Sequence, residues 1–245
     1  MITDKIEKNK FLLIAGPCAI EGRDIAFGIA ERLVDITSKL SIPLVYKGSY
    51  RKANRTRLDS FTGIGDIEAL KILADIGSRF DVPVITDIHS SSEAKMAAEY
   101  VDIIQIPAFL ARQTDILVSA AATNKIINIK KGQFISPKGI HGIISKVGEE
   151  NVWITERGSS FGYDKMIIDF EGIQYIKDSY NVPIFLDITH SVSERKYSKT
   201  MARLAGALGL NLFVEVHDNP DEAPSDGKKM ININEFEKLI KTYII

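Results

Sequence analysis

Short apolar runs alternate along the chain with longer stretches whose apolar positions return every three to four residues. The runs occupy residues 11–15, 43–46, 83–89, 101–107, 125–131, 152–155, 183–188 and 212–217. Runs of this length predict strands buried on both faces, as in a parallel sheet. The Gly16-Pro17-Cys18 break ends the first. Behind it Ile25, Ile29, Leu33, Ile36 and Leu40 fall on one helical stripe. Further helices are predicted over 67–80, after the Gly63-Ile64-Gly65 turn, and over 113–123, 136–146, 170–180, 198–208 and 234–243. One more begins at Ser91 or Ser92, either of which offers an N-cap oxygen, with Glu93 in its first turn.

Strand and helix therefore alternate eight times. Such alternation implies parallel strands joined by right-handed crossovers. The count and the length of 245 residues fit an α/β fold of the (β/α)8 TIM-barrel type. A doubly wound open sheet is the alternative. No Pro-rich or low-complexity linker interrupts the pattern, so residues 1–245 are expected to form one domain, with residues 1–10 a short polar N-terminal extension.

Barrel enzymes keep their chemistry at the C-terminal ends of the strands. Here those ends carry Cys18, Lys47 with Ser49, Asp87 with His89, Gln105, Lys130 with Lys131, Glu156 with Arg157, Asp187 with His190, and Glu215 with His217. Residues two apart on a strand share a face, so Asp87/His89 and Glu215/His217 each pair a carboxylate with an imidazole. The second strand runs into a basic loop: five of the eleven residues from Lys47 to Arg57 are Lys or Arg, with no acid among them. Lys47, Lys52, Lys130 and Arg157 converge on one rim, where they suit a small polyanion such as a phosphate or carboxylate. Cys18, His190, Glu215 and Asp226 offer a thiolate, an imidazole and two carboxylates from elements that meet where a barrel closes. A mixed N/O/S set suits Mn, Fe, Co or Zn without choosing among them.

Composition narrows the classes. Basic and acidic residues number 31 and 32, against the basic excess that nucleic-acid binding wants. No apolar run approaches the roughly 18 residues of a membrane helix. The first ten residues are too polar and acidic for a signal peptide. One cysteine excludes an internal disulfide and suits a reducing cytoplasm.

Several motifs resemble a known family. They are Ala15-Gly16-Pro17-Cys18-Ala19-Ile20-Glu21, Lys52-Ala53-Asn54-Arg55, Thr86-Asp87-Ile88-His89, the stretch from Ile104-Gln105-Ile106-Pro107-Ala108-Phe109-Leu110 to Asp115, Asn128 to Phe134, and Thr155-Glu156-Arg157-Gly158 followed by Phe161-Gly162-Tyr163. Together they resemble the 3-deoxy-D-manno-octulosonate 8-phosphate synthases, also called 2-dehydro-3-deoxyphosphooctonate aldolases. Gly-Pro-Cys is shared with the related heptulosonate 7-phosphate synthases.

The resemblance implies a transferase that condenses phosphoenolpyruvate with arabinose 5-phosphate for the lipopolysaccharide inner core, on a barrel that forms a homotetramer. It implies that Lys47, Ser49, Lys52, Gln105, Lys130 and Arg157 surround phosphoenolpyruvate. Asn54, Arg55 and Asp87 would meet the aldose phosphate, with Thr56, His89, Pro107 and Ala108 beside them and Arg112 reaching across from a neighbouring subunit. Cysteine at position 18, with His190, Glu215 and Asp226, matches the metal-dependent branch. The chain departs from the family at Thr56-Arg57, where Ser-Ser is usual, and at Ser90, where Glu is usual. It also departs after His190, where residues 191–198 replace a long Gly-rich loop. A synthase for another aldose phosphate, such as erythrose 4-phosphate, and a non-catalytic sugar-phosphate-binding paralogue are the other readings.

Overall fold

In the computed structural model, residues 11–162 and 164–244 are described, with side chains as far as Lys241. The predicted extension, residues 1–10, lies outside the described residues, as does Tyr163. Eight parallel strands follow one another in order: β1 Leu13–Gly16, β2 Leu44–Lys47, β3 Val84–Asp87, β4 Ile103–Ile106, β5 Ile126–Lys130, β6 Val152–Glu156, β7 Ile184–Asp187 and β8 Asn211–His217. β1 also pairs with β8, Leu13 opposite Leu212 through Gly16 opposite Glu215, so the sheet closes into a barrel. Closure decides for the TIM barrel over the open sheet. The surrounding helices are α1 Arg23–Lys39, α2 Asp66–Phe80, α3 Glu93–Ala98, α4 Thr114–Ala121, α5 His141–Val147, α6 Phe170–Ser179, α7 Ser198–Ala207 and α8 Ile233–Ile244.

Boundaries shift where local chemistry overrides periodicity. β3 stops at Asp87, short of His89, whose N–H donates to the Glu93 carboxylate at 2.9 Å instead of to a neighbouring strand. The predicted helix over 136–146 divides into a 3-10 turn, Pro137–Ile140, and α5. Ser136 caps that turn by accepting from the Gly139 N–H at 3.3 Å. Ser92 sits at the start of α3 but makes no capping bond. A two-residue strand, β9 Ile231–Asn232, pairs in parallel with Val216 and His217 and has no counterpart in the predicted pattern. No helix among the described residues is long and apolar enough to cross a membrane.

The period-two alternation of strands sorts the core into two compartments. Leu13, Ala15, Leu44, Tyr46, Val84, Ile104 and Ile127 point outward and pack under the helices. Leu12, Ile14, Val45, Ile85, Ile103, Trp153, Phe185 and Phe213 point inward and fill the barrel. Two residues further along the same strands, the inward side chains turn polar: Lys47, Asp87, Gln105, Thr155, Asp187 and Glu215, all buried. Parity alone thus mounts a polar layer on an apolar plug at the C-terminal end of the barrel. Gly16 lets β1 pass closely at this level, since a Cβ there would lie 1.9 Å from the Lys47 carbonyl oxygen.

Candidate active site

A cavity of about 960 Å³ opens above the polar layer. Lys47, Lys52, Asn54, Arg55, Thr56, Asp87, His89, Gln105, Pro107, Ala108, Lys130, Arg157, His190, Glu215 and Asp226 line it. Most of the residues singled out in the sequence are therefore brought together. Ser49 lies beneath the lining, buried against Asp87. Arg112 is exposed and outside the lining. His217 faces away from the cavity and pairs with Glu21 at 3.3 Å, so β8 does not present Glu215 and His217 to one site. Lys131 is also diverted, forming a buried pair with Glu156 at 3.2 Å.

A directional hydrogen-bond chain crosses the floor. Thr155 donates to the Asn128 Oδ1 at 2.8 Å, and Asn128 donates to the Gln105 Oε1 at 2.8 Å. Gln105 and Ser49 both donate to Asp87. Lys52 closes the series by donating to the Ser49 Oγ at 3.2 Å. Every member is satisfied, which fixes the amide orientations and keeps the floor rigid. Burial opposes the Asp87 carboxylate, yet Lys47 and Lys52 outweigh it and hold Asp87 well below the usual range.

On the opposite wall, Asp187 is a hub. It accepts the Thr189 and His190 N–H groups at 2.9 and 2.8 Å, pairs with the His190 Nδ1 at 2.7 Å, and bonds Lys130. The Lys130 ammonium also stands 3.1 Å from the Phe213 ring centroid. Burial lowers its pKa to about 8, against the pull of Asp187. Lys47 donates to the Glu215 Oε1 at 2.6 Å and to the Cys18 carbonyl at 2.9 Å.

Cys18, Glu215 and Asp226 form a compact trio whose ligand atoms lie within 4.8 Å of one another. His190 stands just outside it, its Nε2 3.6 Å from Glu215 and 3.9 Å from Asp226. Three observations fit a divalent cation. The Glu215 Oε2 is buried without a hydrogen-bond partner. The bond from His190 Nδ1 to Asp187 leaves Nε2 turned to the carboxylates, the orientation in which a ligating histidine is held by an outer carboxylate. Asp226 adopts a left-handed conformation, φ 51°, and its carboxylate accepts from the Cys18 thiol at 3.0 Å. Burial, with Glu215, pushes the Cys18 thiol up to about 12, so it keeps its proton until a cation displaces it. Burial disfavours the His190 imidazolium, but Asp187 and Glu215 outweigh burial and raise its pKa.

Several lining residues were not singled out from the sequence. Gln133, Ser225, Lys228 and Lys229 reach the cavity from loops and Phe109 from the 3-10 turn Ala108–Leu110, where no periodicity marks them. The adjacent pair Lys228-Lys229, two residues past Asp226, was the one available signal. Asn128 and Thr155, polar within otherwise apolar runs, were the signal for the floor chain.

The profile of the DAHP synthetase I family matches residues 5–244. Among characterised proteins the chain is similar to the 2-dehydro-3-deoxyphosphooctonate aldolase of Rickettsia felis, 45% identical over 245 residues, covering 94% of this chain and 89% of that protein. It is equally similar to the Rickettsia prowazekii protein of the same name, 45% identical over 246 residues with the same coverage. The Bartonella henselae protein of that name is 44% identical over 247 residues, covering 95% of this chain and 88% of its own.

Proposed function

This chain belongs to the DAHP synthetase I family, among the 3-deoxy-D-manno-octulosonate 8-phosphate synthases, and we propose that it condenses phosphoenolpyruvate with arabinose 5-phosphate. The products are 3-deoxy-D-manno-octulosonate 8-phosphate, for the lipopolysaccharide inner core, and inorganic phosphate. The observation that carries this reading is the cavity itself, where cations from β2, β5 and the loop after β6 surround a space beside the Cys18, Glu215 and Asp226 trio.

The enol carbon of phosphoenolpyruvate attacks the aldehyde carbon, a C–C bond forms and the aldehyde oxygen takes a proton. Water adds to the adjacent carbon, and phosphate leaves by C–O cleavage. Lys130, Arg157 and Lys52 offset the phosphoenolpyruvate charge, with Lys47 beneath them. Charge-assisted bonds in a buried site align two mutually repelling phosphorylated reactants. Gln105 and Ser49 hold Asp87 at the floor, where its carboxylate faces the acceptor with His89. Asn54, Arg55 and Thr56 receive the acceptor from the β2 loop, with Pro107 and Ala108 opposite. Cys18, Glu215, Asp226 and His190 would hold the divalent ion, which supplies Lewis-acid polarisation of a carbonyl or water oxygen. Arg112, exposed and outside the cavity lining, serves a neighbouring copy in a homotetramer on this reading. The whole chain acts as one catalytic domain in the cytoplasm.

The test is phosphoenolpyruvate consumption by Mn-loaded protein with arabinose 5-phosphate, against an EDTA-treated control. Turnover that disappears with EDTA supports both reaction and metal class. A folded, metal-loaded protein that consumes no phosphoenolpyruvate with arabinose 5-phosphate, but does so with erythrose 4-phosphate, would move the assignment to the heptulosonate reaction.

A further inference from the structure

The loop between β8 and β9 is held from two sides. From the β2 loop, Arg55 donates to the Pro224 carbonyl at 2.9 Å and to the Ser225 Oγ at 2.6 Å. From the short segment after β7, Arg195 donates to the Gly227 carbonyl at 2.8 Å and to the Lys228 carbonyl at 3.4 Å, and pairs with Asp221. The segment that replaces the family's long loop thus buttresses the β8 loop. Its effect is to fix Lys228 and Lys229 at the cavity mouth.

Neither lysine has an ion-pair partner among the described residues. Lys47, Lys130 and Arg57 do, in Glu215, Asp187 and Asp59. Among the described residues, the lining cations without a carboxylate within 4.0 Å are therefore Lys52, Arg55, Arg157, Lys228 and Lys229. Phosphoenolpyruvate carries about three negative charges and an aldose phosphate about two. Lys52 and Arg157, with the paired Lys130, serve the first reactant, which leaves Arg55 as the one cation of that set for the second. Lys228 and Lys229 add two positive charges on the loop that Arg55 already holds.

Resting on the octulosonate-synthase reading, we propose that Lys228 and Lys229 form, with Arg55, a clamp for the terminal phosphate of the acceptor sugar. The site then has two poles. The inner pole, at Lys130 and Arg157, takes the enol phosphate; the outer pole takes the sugar phosphate and sets how long the acceptor chain between them is. Lys228 is exposed and Lys229 half-buried, so their attraction is screened by salt more than that of the buried Lys130.

The test compares the Mn-loaded wild type with Lys228→Gln/Lys229→Gln and Lys228→Arg/Lys229→Arg. The probe is arabinitol 5-phosphate, an alditol phosphate without the reacting aldehyde, titrated calorimetrically at two ionic strengths. Loss of two charge-assisted contacts lowers its affinity about tenfold or more in the Gln variant. The Arg variant retains binding, and phosphoenolpyruvate affinity changes by less than about twofold in both. Equal affinity in wild type and Gln variant overturns the clamp, as does a parallel loss of phosphoenolpyruvate affinity, or no alditol binding by the wild type. Turnover is scored separately: a wild type that binds the alditol through these lysines yet consumes no phosphoenolpyruvate refutes the reaction and leaves the clamp standing.

Discussion

Glu93→Gln isolates one buried charge that supports the β2 loop. The Glu93 carboxylate accepts from the Tyr50 hydroxyl, from Arg51, from the His89 N–H at 2.9 Å and from the Ser90 Oγ at 2.9 Å. Burial by itself would raise its pKa. The bonds from His89, Tyr50 and Ser90 prevail and hold it down to about 2, from an ordinary 4.5. A depressed carboxylate pKa stabilises the fold above the unfolded value and loses that stabilisation as the pH falls toward the folded value. A gap of about 2.5 units corresponds to roughly 3 kcal/mol. The charge-dependent difference between wild type and Glu93→Gln should be full above about pH 5.5, smaller by about 1 kcal/mol at pH 4 and by about 2 kcal/mol at pH 3, and mostly gone by about pH 2. Urea unfolding followed by circular dichroism between pH 8 and 4 measures it. A difference below about 1 kcal/mol at pH 7, or one that does not shrink on acidification, would refute the assignment of Glu93 as a charged hub.

Other perturbations follow from the site geometry. Cys18→Ser removes the thiolate from the trio, and metal content after dialysis, read by plasma mass spectrometry, should fall sharply; wild-type content would exclude Cys18 as a ligand. Lys130→Met should raise the KM for phosphoenolpyruvate about tenfold or more. It should also destabilise the protein by about 1–3 kcal/mol, since buried Asp187 loses its lysine and keeps only His190 and two backbone N–H groups. Adding Asp187→Asn should restore part of the stability and none of the phosphoenolpyruvate affinity, and unfolding curves with steady-state kinetics separate the two effects. Gly16→Ala places a methyl 1.9 Å from the Lys47 carbonyl. The required backbone shift should cost about 3 kcal/mol or more, read as a fall in Tm; an unchanged Tm would show that β1 is freer to move than its packing implies.

The barrel and most of its rim are legible in the chain before any tertiary contact is known. Alternation of apolar runs with helical stripes is a local property, written in each element before any two meet. The inward parity of Val45 with Lys47, Ile85 with Asp87 and Phe213 with Glu215 is equally local, because a strand has only two faces. Motif resemblance then separated the metal-dependent ligand set from other mixed clusters. What local pattern does not contain is which polar side chain spends its hydrogen bonds on which other. Lys130 and Lys131 are neighbours in sequence, but tertiary structure gives one to Asp187 at the cavity and the other to Glu156 and Ser159 behind it. Glu215 and His217 share strand parity, yet Glu21 draws the histidine away. Only folding brings Arg55 and Arg195, 140 positions apart, onto the loop that carries Lys228 and Lys229. These pairings depend on distances between elements remote in the chain and on the high cost of a buried unpaired charge, so they are decided when the barrel closes.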